Sequence, residues 1–247
     1  MYDRSGKLLV YNIPSFSVTL TPYEFRDETM PLLSKLIDKD SNEIKTILKR
    51  FESFSKFTPI KIVRDVDANM IAKIEEVSDK LYGINISVDS KRIYNYNCNM
   101  AHLVGYIREI TREQLDIFKY YKLGDMIGQN GLEQKYEFEL HGSDGVNYVA
   151  FNKVGQKIEN FTTTSNNIPA RNGLSLNLSI DIELQELAEK LLQNRRGAVV
   201  ALDPNNGEVI VCASKPDYHL SLFSGRVPAD IYNSLRDDEK RPLLPRA

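Results

Sequence analysis

Cysteine is scarce: Cys98 and Cys212 are the only two in 247 residues. They share no CxxC spacing and fall in different predicted domains, so neither a disulfide framework nor a metal knuckle is expected. Long apolar runs are missing too, and nothing approaches the roughly 20 residues that a membrane-spanning helix requires. Met1-Tyr2-Asp3 does not open a signal peptide. Charge of one sign is also lacking. With 32 basic and 34 acidic residues the net charge is −2, and no basic block is present to attract nucleic acid or lipid headgroups. The histidines, His102, His141 and His219, have no mutual ligand spacing, so neither a metal nor a cofactor is expected. There is no internal repeat and no low-complexity tract. The length suffices for two modest domains.

What the chain does carry is a succession of short helical and extended patterns, which places it in the α+β class. Residues 1 to about 25 read as two strands, Lys7 to Tyr11 and Phe16 to Leu20, with a turn signal at Asn12-Ile13-Pro14 between them. Residues 26 to about 90 alternate. Helical faces appear at Leu32, Leu33, Leu36 and Ile37, at Ile44 to Phe51, and at Ala68 to Val77 with Asp67 as N-cap, while Ile60 to Val63 and Ile84 to Val88 read as strands. This is a small α+β head. Thr111 and Gln114 fit a capping box that opens a short helix through Phe118. A glycine-punctuated segment, Gly128 to Gly145, comes next, then a predicted hairpin of Tyr148 to Phe151 against Lys157 to Phe161. The last third predicts a helix capped by Asp181, with Leu184, Leu187, Ala188, Leu191 and Leu192 as its inward face. Strands Ala198 to Leu202 and Glu208 to Ala213 follow, joined by a turn at Pro204-Asn205-Asn206-Gly207.

Several residues could carry chemistry. Gly128, Gly131, Gly142 and Gly145 have the glycine density of a phosphate cradle, but Glu133 opens the following helix and its charge repels an anion there. Turn and helix-stop duty is the expectation. Glu133 and Glu137 stand at i, i+4, and such a pair is expected to be solvated or bound to a basic residue, with Arg92 as the partner, rather than to perform acid–base work. Leu132, Tyr136 and Leu140 share one helix face and are expected, with Val104, to be largely buried. His102 lies in an apolar run and is read as a hydrogen-bonded structural residue. Ser53-Phe54-Ser55-Lys56 matches S-x-x-K, the nucleophile element of penicillin-recognising enzymes. It trails a helix instead of opening one, and Pro59 biases Thr58 to extended geometry. Lys153-Val154-Gly155 lacks the hydroxyl of K-[ST]-G, and Ser165-Asn166-Asn167 follows it in the wrong order.

Read together, the ordered motifs resemble one family. Gly128-Gln129-Asn130-Gly131-Leu132-Glu133-Gln134-Lys135-Tyr136-Glu137 with Leu140, Gly142 and Gly145 resembles the pedestal signature of class B penicillin-binding proteins. Leu178 to Asp181 with Gln185, then Gly197 to Pro204 with Gly207-Glu208-Val209, is similar to the opening of their transpeptidase domain. Arg92-x-Tyr94, Ala101-His102-Leu103-Val104-Gly105-Tyr106 and Asp3 to Leu9 fall in the expected order. Tyr136-Glu137 and the segment from Arg241 to Ala247 favour the elongation type, the penicillin-binding protein 2 group. Pro245 departs from that pattern, where an Asn is expected.

The resemblance implies an elongated pedestal over residues 1–172, its head sub-domain at about 26–90, and the helix-plus-hairpin beginning of a transpeptidase domain over 173–247. Arg92, His102, Gly105, Tyr106, Gly128, Gly131, Leu132, Glu133, Tyr136, Glu137, Gly142, Gly145, Asp181, Gln185, Asp203 and Gly207 then become structural motif positions, none of them catalytic. It further implies that S-x-x-K follows Ala247, leaving this portion non-catalytic. A membrane anchor would precede Asp3, Met1 would be the start of a shortened chain, and the parent would work in the bacterial periplasm, anchored in the inner membrane. Implied partners are glycosyltransferase and scaffold proteins of cell elongation, plus peptidoglycan stem peptides for the full-length enzyme. Two other readings stay open: a stand-alone interaction module, and a division-type transpeptidase or penicillin-recognising hydrolase or sensor. The β-edge from about residue 173 onward is expected to make that half the less stable one.

Overall fold

The computed structural model describes residues 1–53, 55–96, 99–146, 167–223, 227 and 229–247. The predicted hairpin at 148–161, Lys153-Val154-Gly155, Ser165-Asn166, Phe54 and Cys98 lie outside the described residues. The class is α+β, as expected.

Strand β1, Val10–Leu20, is the spine. It pairs antiparallel along its whole length with β3, Ile84–Tyr94, and only from Ser17 to Leu20 with β2, Ile60–Arg64, giving the order β2-β1-β3. This corrects the expected turn at Asn12-Ile13-Pro14. Pro14 is tolerated within the strand because β1 has a neighbour on one side only at that point, so its missing N–H costs no ladder bond. β3 also runs past Val88, through the polar Asp89-Ser90-Lys91 stretch whose lack of apolar alternation hid it.

On the head side, Val18 and Leu20 of β1 face a layer of three helices: α1, Met30–Leu36; α2, Ser41–Arg50; and α3, Ala68–Glu76. Asp40 and Asp67 cap α2 and α3 by accepting from Asn42 N and Met70 N, as such side chains do for the unpaired N–H groups of a first turn. Leu33, Ile37, Ile44, Ile47, Ile60, Ile62 and Ile74 close the core with them. The opposite face of β1 is polar yet buried. Ser17 Oγ donates to Asp89 Oδ2 at 3.1 Å, and Lys61 and Arg64 pair with the same carboxylate at 3.0 and 2.7 Å.

Below the head, α4, Ala101–Val104, leads into β4, Ile107–Glu109, which pairs antiparallel with β5, Met126–Gly128. Helix α5, Arg112–Ile117, starts with the predicted Thr111–Gln114 capping box. Helices α6, Gly131–Lys135, and α7, Glu137–His141, follow with Tyr136 between them. The chain ends in α8, Ile182–Leu191, then the antiparallel pair β6, Gly197–Leu202, and β7, Val209–Lys215, and lastly α9, Ala229–Asp237. Among the described residues no helix is long and apolar enough to cross a membrane.

One core gathers segments from both ends of the sequence. Leu9, Met100, Val104 and Tyr106 pack with Ile180, Ile182, Tyr218 and Phe223. The N-terminal segment is stitched to the C-terminal one by backbone bonds, Tyr2 N to Leu176 O and Leu178 N to Tyr2 O at 2.8 Å each, and Arg4 N to Ile180 O at 3.0 Å.

Candidate functional site

Two buried polar knots hold the motif residues, one on each side of that shared core. In the first, β3 presents Arg92 and α6 presents Glu133. The Arg92 Nε–H donates to Glu133 Oε1 at 2.8 Å, and its Nη1 donates to Asn12 Oδ1 at 3.0 Å. Glu133 is 3% exposed. Burial pushes its carboxyl above the ordinary range while the Arg92 guanidinium opposes that shift. Glu137, one turn on, accepts from Gly128 N at 2.6 Å and from the Tyr121 hydroxyl, which also lies 3.2 Å from His141 Nδ1. Both carboxylates are therefore committed to internal donors that tie the neck together, and the expected pairing with Arg92 is present.

Glycine permits this knot. A Cβ on Gly128 would lie 2.4 Å from the Glu133 carbonyl carbon. Gly128 thus works as a close-contact residue inside β5, not as the turn former that was expected. Gly131 does need its freedom, with φ at +61° and a hypothetical Cβ 2.6 Å from Leu103 O. Gly105 and Gly142 follow α4 and α7 directly, and Gly145 adjoins the Val146–Ile168 bridge. Val104 is fully buried, and Leu132 and Leu140 pack partly buried against the shared core. Tyr136 departs from the expectation. It is 38% exposed, because the break between α6 and α7 turns it out of the face that Leu132 and Leu140 share.

The second knot corrects the predicted face of α8 in part: Ala188 is buried and Leu192 packs against the same small core, as expected, but the other three leucines do not. Leu184, Leu187 and Leu191 are exposed, whereas Gln185 is 0% and Glu189 7% exposed. Asp181 caps the helix as predicted, accepting from Glu183 N and Leu184 N. The physical reason for the rotated face is backbone satisfaction. Gln185 reaches the inner strand and makes both bonds to Cys212, accepting from its N–H at 2.9 Å and donating to its carbonyl at 3.1 Å. Glu189, four residues on, accepts from Asn99 N and Met100 N at 2.9 Å each and from Gln185 Nε2 at 3.1 Å, and it pairs with Lys215 at 3.4 Å. Met100 needs such a clamp, since it holds φ +44°, a left-handed conformation unfavourable for a side chain with a Cβ. Lys215 also binds Asp217 at 2.8 Å. Burial lowers its pKa, but the two carboxylates prevail and hold it above the ordinary lysine value.

Glu189 and Lys215 were not visible as functional positions. The available signal was the i, i+4 spacing from Gln185 to Glu189, which a count of apolar residues assigns to solvent.

His102 packs edge-on against Tyr218, ring centroids 5.4 Å apart. Burial keeps its pKa below the usual value, and its Nε2 has no hydrogen-bond partner among the described residues. Tyr106 receives support from Asn130, whose Oδ1 accepts from Tyr106 N at 3.1 Å while its Nδ2 contacts the Tyr218 hydroxyl at 3.3 Å. Burial also pushes the Tyr218 phenol up to about 12. Asp203 and Gly207 close the β6–β7 turn, with Gly207 N donating to Asp203 O at 2.8 Å. Ser53 is exposed in a turn after α2, away from any helix start and hence unlike an acylating serine. Among the described residues no cluster of histidine, cysteine, aspartate and glutamate could hold a metal ion.

A sequence profile of the penicillin-binding protein dimerisation domain matches residues 1–178. The chain belongs to that family. Among curated family relatives, the peptidoglycan D,D-transpeptidase MrdA of Acinetobacter baumannii is 31% identical over 251 residues, covering 100% of this chain and 37% of the relative. MrdA of Escherichia coli K12 is 27% identical, with 100% and 40% covered. The chain thus spans about two fifths of the length of the curated relatives it matches. Among solved structures, Helicobacter pylori PBP2 in complex with MreC superposes with a TM-score of 0.80 at 26% identity, over 99% of this chain and 46% of that one. PBP2 from the same organism in a separate structure gives 0.71 at 27% identity, over 99% and 47%. The family assignment and the elongation-type resemblance agree.

Proposed function

We propose that this chain is the non-catalytic scaffold of an elongation-type peptidoglycan D,D-transpeptidase. Residues 1–172 would form the pedestal, with the head at about 26–90, and residues 173–247 the first layer of the transpeptidase unit. The motif positions from Arg92 to Gly207 serve as joints. Arg92, Glu133 and Glu137 fix the neck, and Gln185, with Glu189, couples the neck to the transpeptidase layer. The observation that carries this reading is the shared core, in which Leu9, Val104 and Tyr106 pack against Ile182, Tyr218 and Phe223, so the orientation of the second unit is set by the first.

On this reading the parent enzyme cross-links stem peptides by acyl transfer in the periplasm, with its anchor in the inner membrane. The pedestal docks proteins of the elongation machinery, an MreC-type scaffold first and a glycosyltransferase second. This chain itself takes no β-lactam, because Ser53 sits in an exposed turn and not at a helix start. Two measurements test the proposal. The purified chain should bind MreC of its own organism in calorimetry, and it should remain unlabelled by a fluorescent penicillin. Absence of MreC binding would remove the docking role, and labelling at Ser53 by peptide mass spectrometry would remove the non-catalytic one.

A further inference from the structure

A groove of about 620 Å³ runs along the head where the end of β1, α2 and the start of β2 meet. Pro22, Phe25, Leu48 and Phe51 supply its apolar lining, and Lys45, Lys49 and Lys56 stand on its rim against Asp27 and Glu52. Lys45 and Lys49 are exposed one turn apart on α2. None of the three lysines enters an ion pair among the described residues, whereas their neighbours Lys39 and Arg50 do.

Next in sequence to the groove residues Pro22 and Lys56, two rings form an aromatic ledge. Tyr23 and Phe57 are each 67% exposed, yet they stack on one another with ring centroids 4.5 Å apart. Their backbones are fixed. Tyr23 N donates to Lys56 O at 3.0 Å, and the same turn is held from its other side by Thr21 N to Gly83 O at 2.7 Å. Exposed apolar surface of this kind marks a site of association, and rings already stacked on a hydrogen-bonded turn avoid part of the ordering cost of binding.

Resting on the docking role above, we propose that this groove and ledge receive a short protein segment whose apolar side chains are flanked by Asp and Glu. The apolar lining takes the side chains, Tyr23 and Phe57 supply a rigid aromatic anchor of the kind that dominates binding energy, and the three unpaired ammonium groups select acidic flanks. A saccharide would use the ledge alone and leave the lysines unsatisfied.

The test starts from a phage-displayed peptide library selected on the full chain. Enriched peptides should be apolar with acidic flanks, and they should lose about tenfold or more in affinity to the Lys45→Glu/Lys49→Glu variant. A comparable loss is expected for Tyr23→Ser/Phe57→Ser. All four side chains are exposed, so an unchanged circular dichroism spectrum and thermal midpoint show that each variant is folded. Peptides that bind both variants as tightly as the parent overturn the proposal. So does loss of peptide binding to peptidoglycan oligosaccharide that competes through Tyr23 and Phe57 alone, or self-association through the groove in light scattering. If MreC binds wild type and both variants alike, the groove assignment falls and docking stands. If MreC does not bind while the peptides depend on the groove, docking by MreC falls and the groove stands.

Discussion

In the head, α2 turns Ile44 and Ile47 inward and leaves Lys45 and Lys49 in solvent; in the C-terminal unit, α8 turns Gln185 and Glu189 inward and leaves Leu184, Leu187 and Leu191 exposed. Both helices cover a small antiparallel sheet. The head does so with its own apolar side chains, which close against Val18, Leu20 and Ile60. The C-terminal unit seats Ile182 and Ala188 of α8 in apolar cores but adds polar struts from helix to strand and neck, while Leu184, Leu187 and Leu191 face outward together with Val200 and Leu202 of β6. A buried polar strut is costly when half-satisfied. The lesson is that α8 is positioned to hold Cys212 and Met100 in place, whereas α2 is positioned to fill a core.

The largest expected effect lies in the polar unit. Replacing Glu189 by Ala removes the acceptor for Asn99 and Met100 and one partner of Lys215, and breaking a buried pair of this kind costs about 3–5 kcal/mol. Urea denaturation followed by circular dichroism measures it, and a loss below that of a surface substitution would break the contrast. In the head the corresponding change is apolar. Ile44, fully buried, when cut back to Ala should cost about 2–5 kcal/mol, with hydrogen exchange rising across β1 and β3 and not at α8.

The two regions should also separate by pH. His102 holds a pKa below 6.5 in the folded chain because it is buried. The unfolded chain therefore binds the proton more tightly, and the stability tied to neutral His102 is present above about pH 6.5 and declines as the pH falls toward the folded value. Asp89 behaves differently. Burial raises it, but Lys61 and Arg64 outweigh burial and hold its carboxyl below 3.8. Its contribution is present above that value and is lost only as the pH falls through the lower folded one. Protection factors in hydrogen exchange, which correct for the intrinsic pH dependence, should thus fall at α4 and around Tyr218 as the pH drops below about 6.5, while the head stays protected until about pH 4. His102→Leu should flatten the first change, and an unaltered profile in that variant would show that another group titrates.

The head was largely legible from the sequence because its signals were local. Asp67 capped a helix, and Ile44 and Ile47 were spaced for one face; below the head, the Thr111 and Gln114 box was as local and as legible. The second half of β3 escaped because Asp89 and Lys91 turn to polar partners, Asp89 to Lys61 and Arg64 and Lys91 to Asp65, which no single segment reveals. Arg92 and Glu133 were paired correctly from charge alone. The contact role of Gly128 and the outward turn of Tyr136 depend on how α6 meets β5 and α7, which lies beyond a local reading. The inward face of α8 was read correctly at Ala188 and Leu192 but missed Gln185 and Glu189, because apolar counting gives no weight to an amide that satisfies a distant strand.

That last point is also the most direct place to test the account. Leu187→Gln should leave the urea midpoint within about 0.5 kcal/mol of the parent, as surface changes do. Gln185→Leu, measured beside it, should lose about 1–3 kcal/mol for each Cys212 backbone group left unpaired in the interior. If instead Leu187→Gln is the damaging change and Gln185→Leu is neutral or stabilising, α8 packs through its leucines and the contrast between the two regions is wrong.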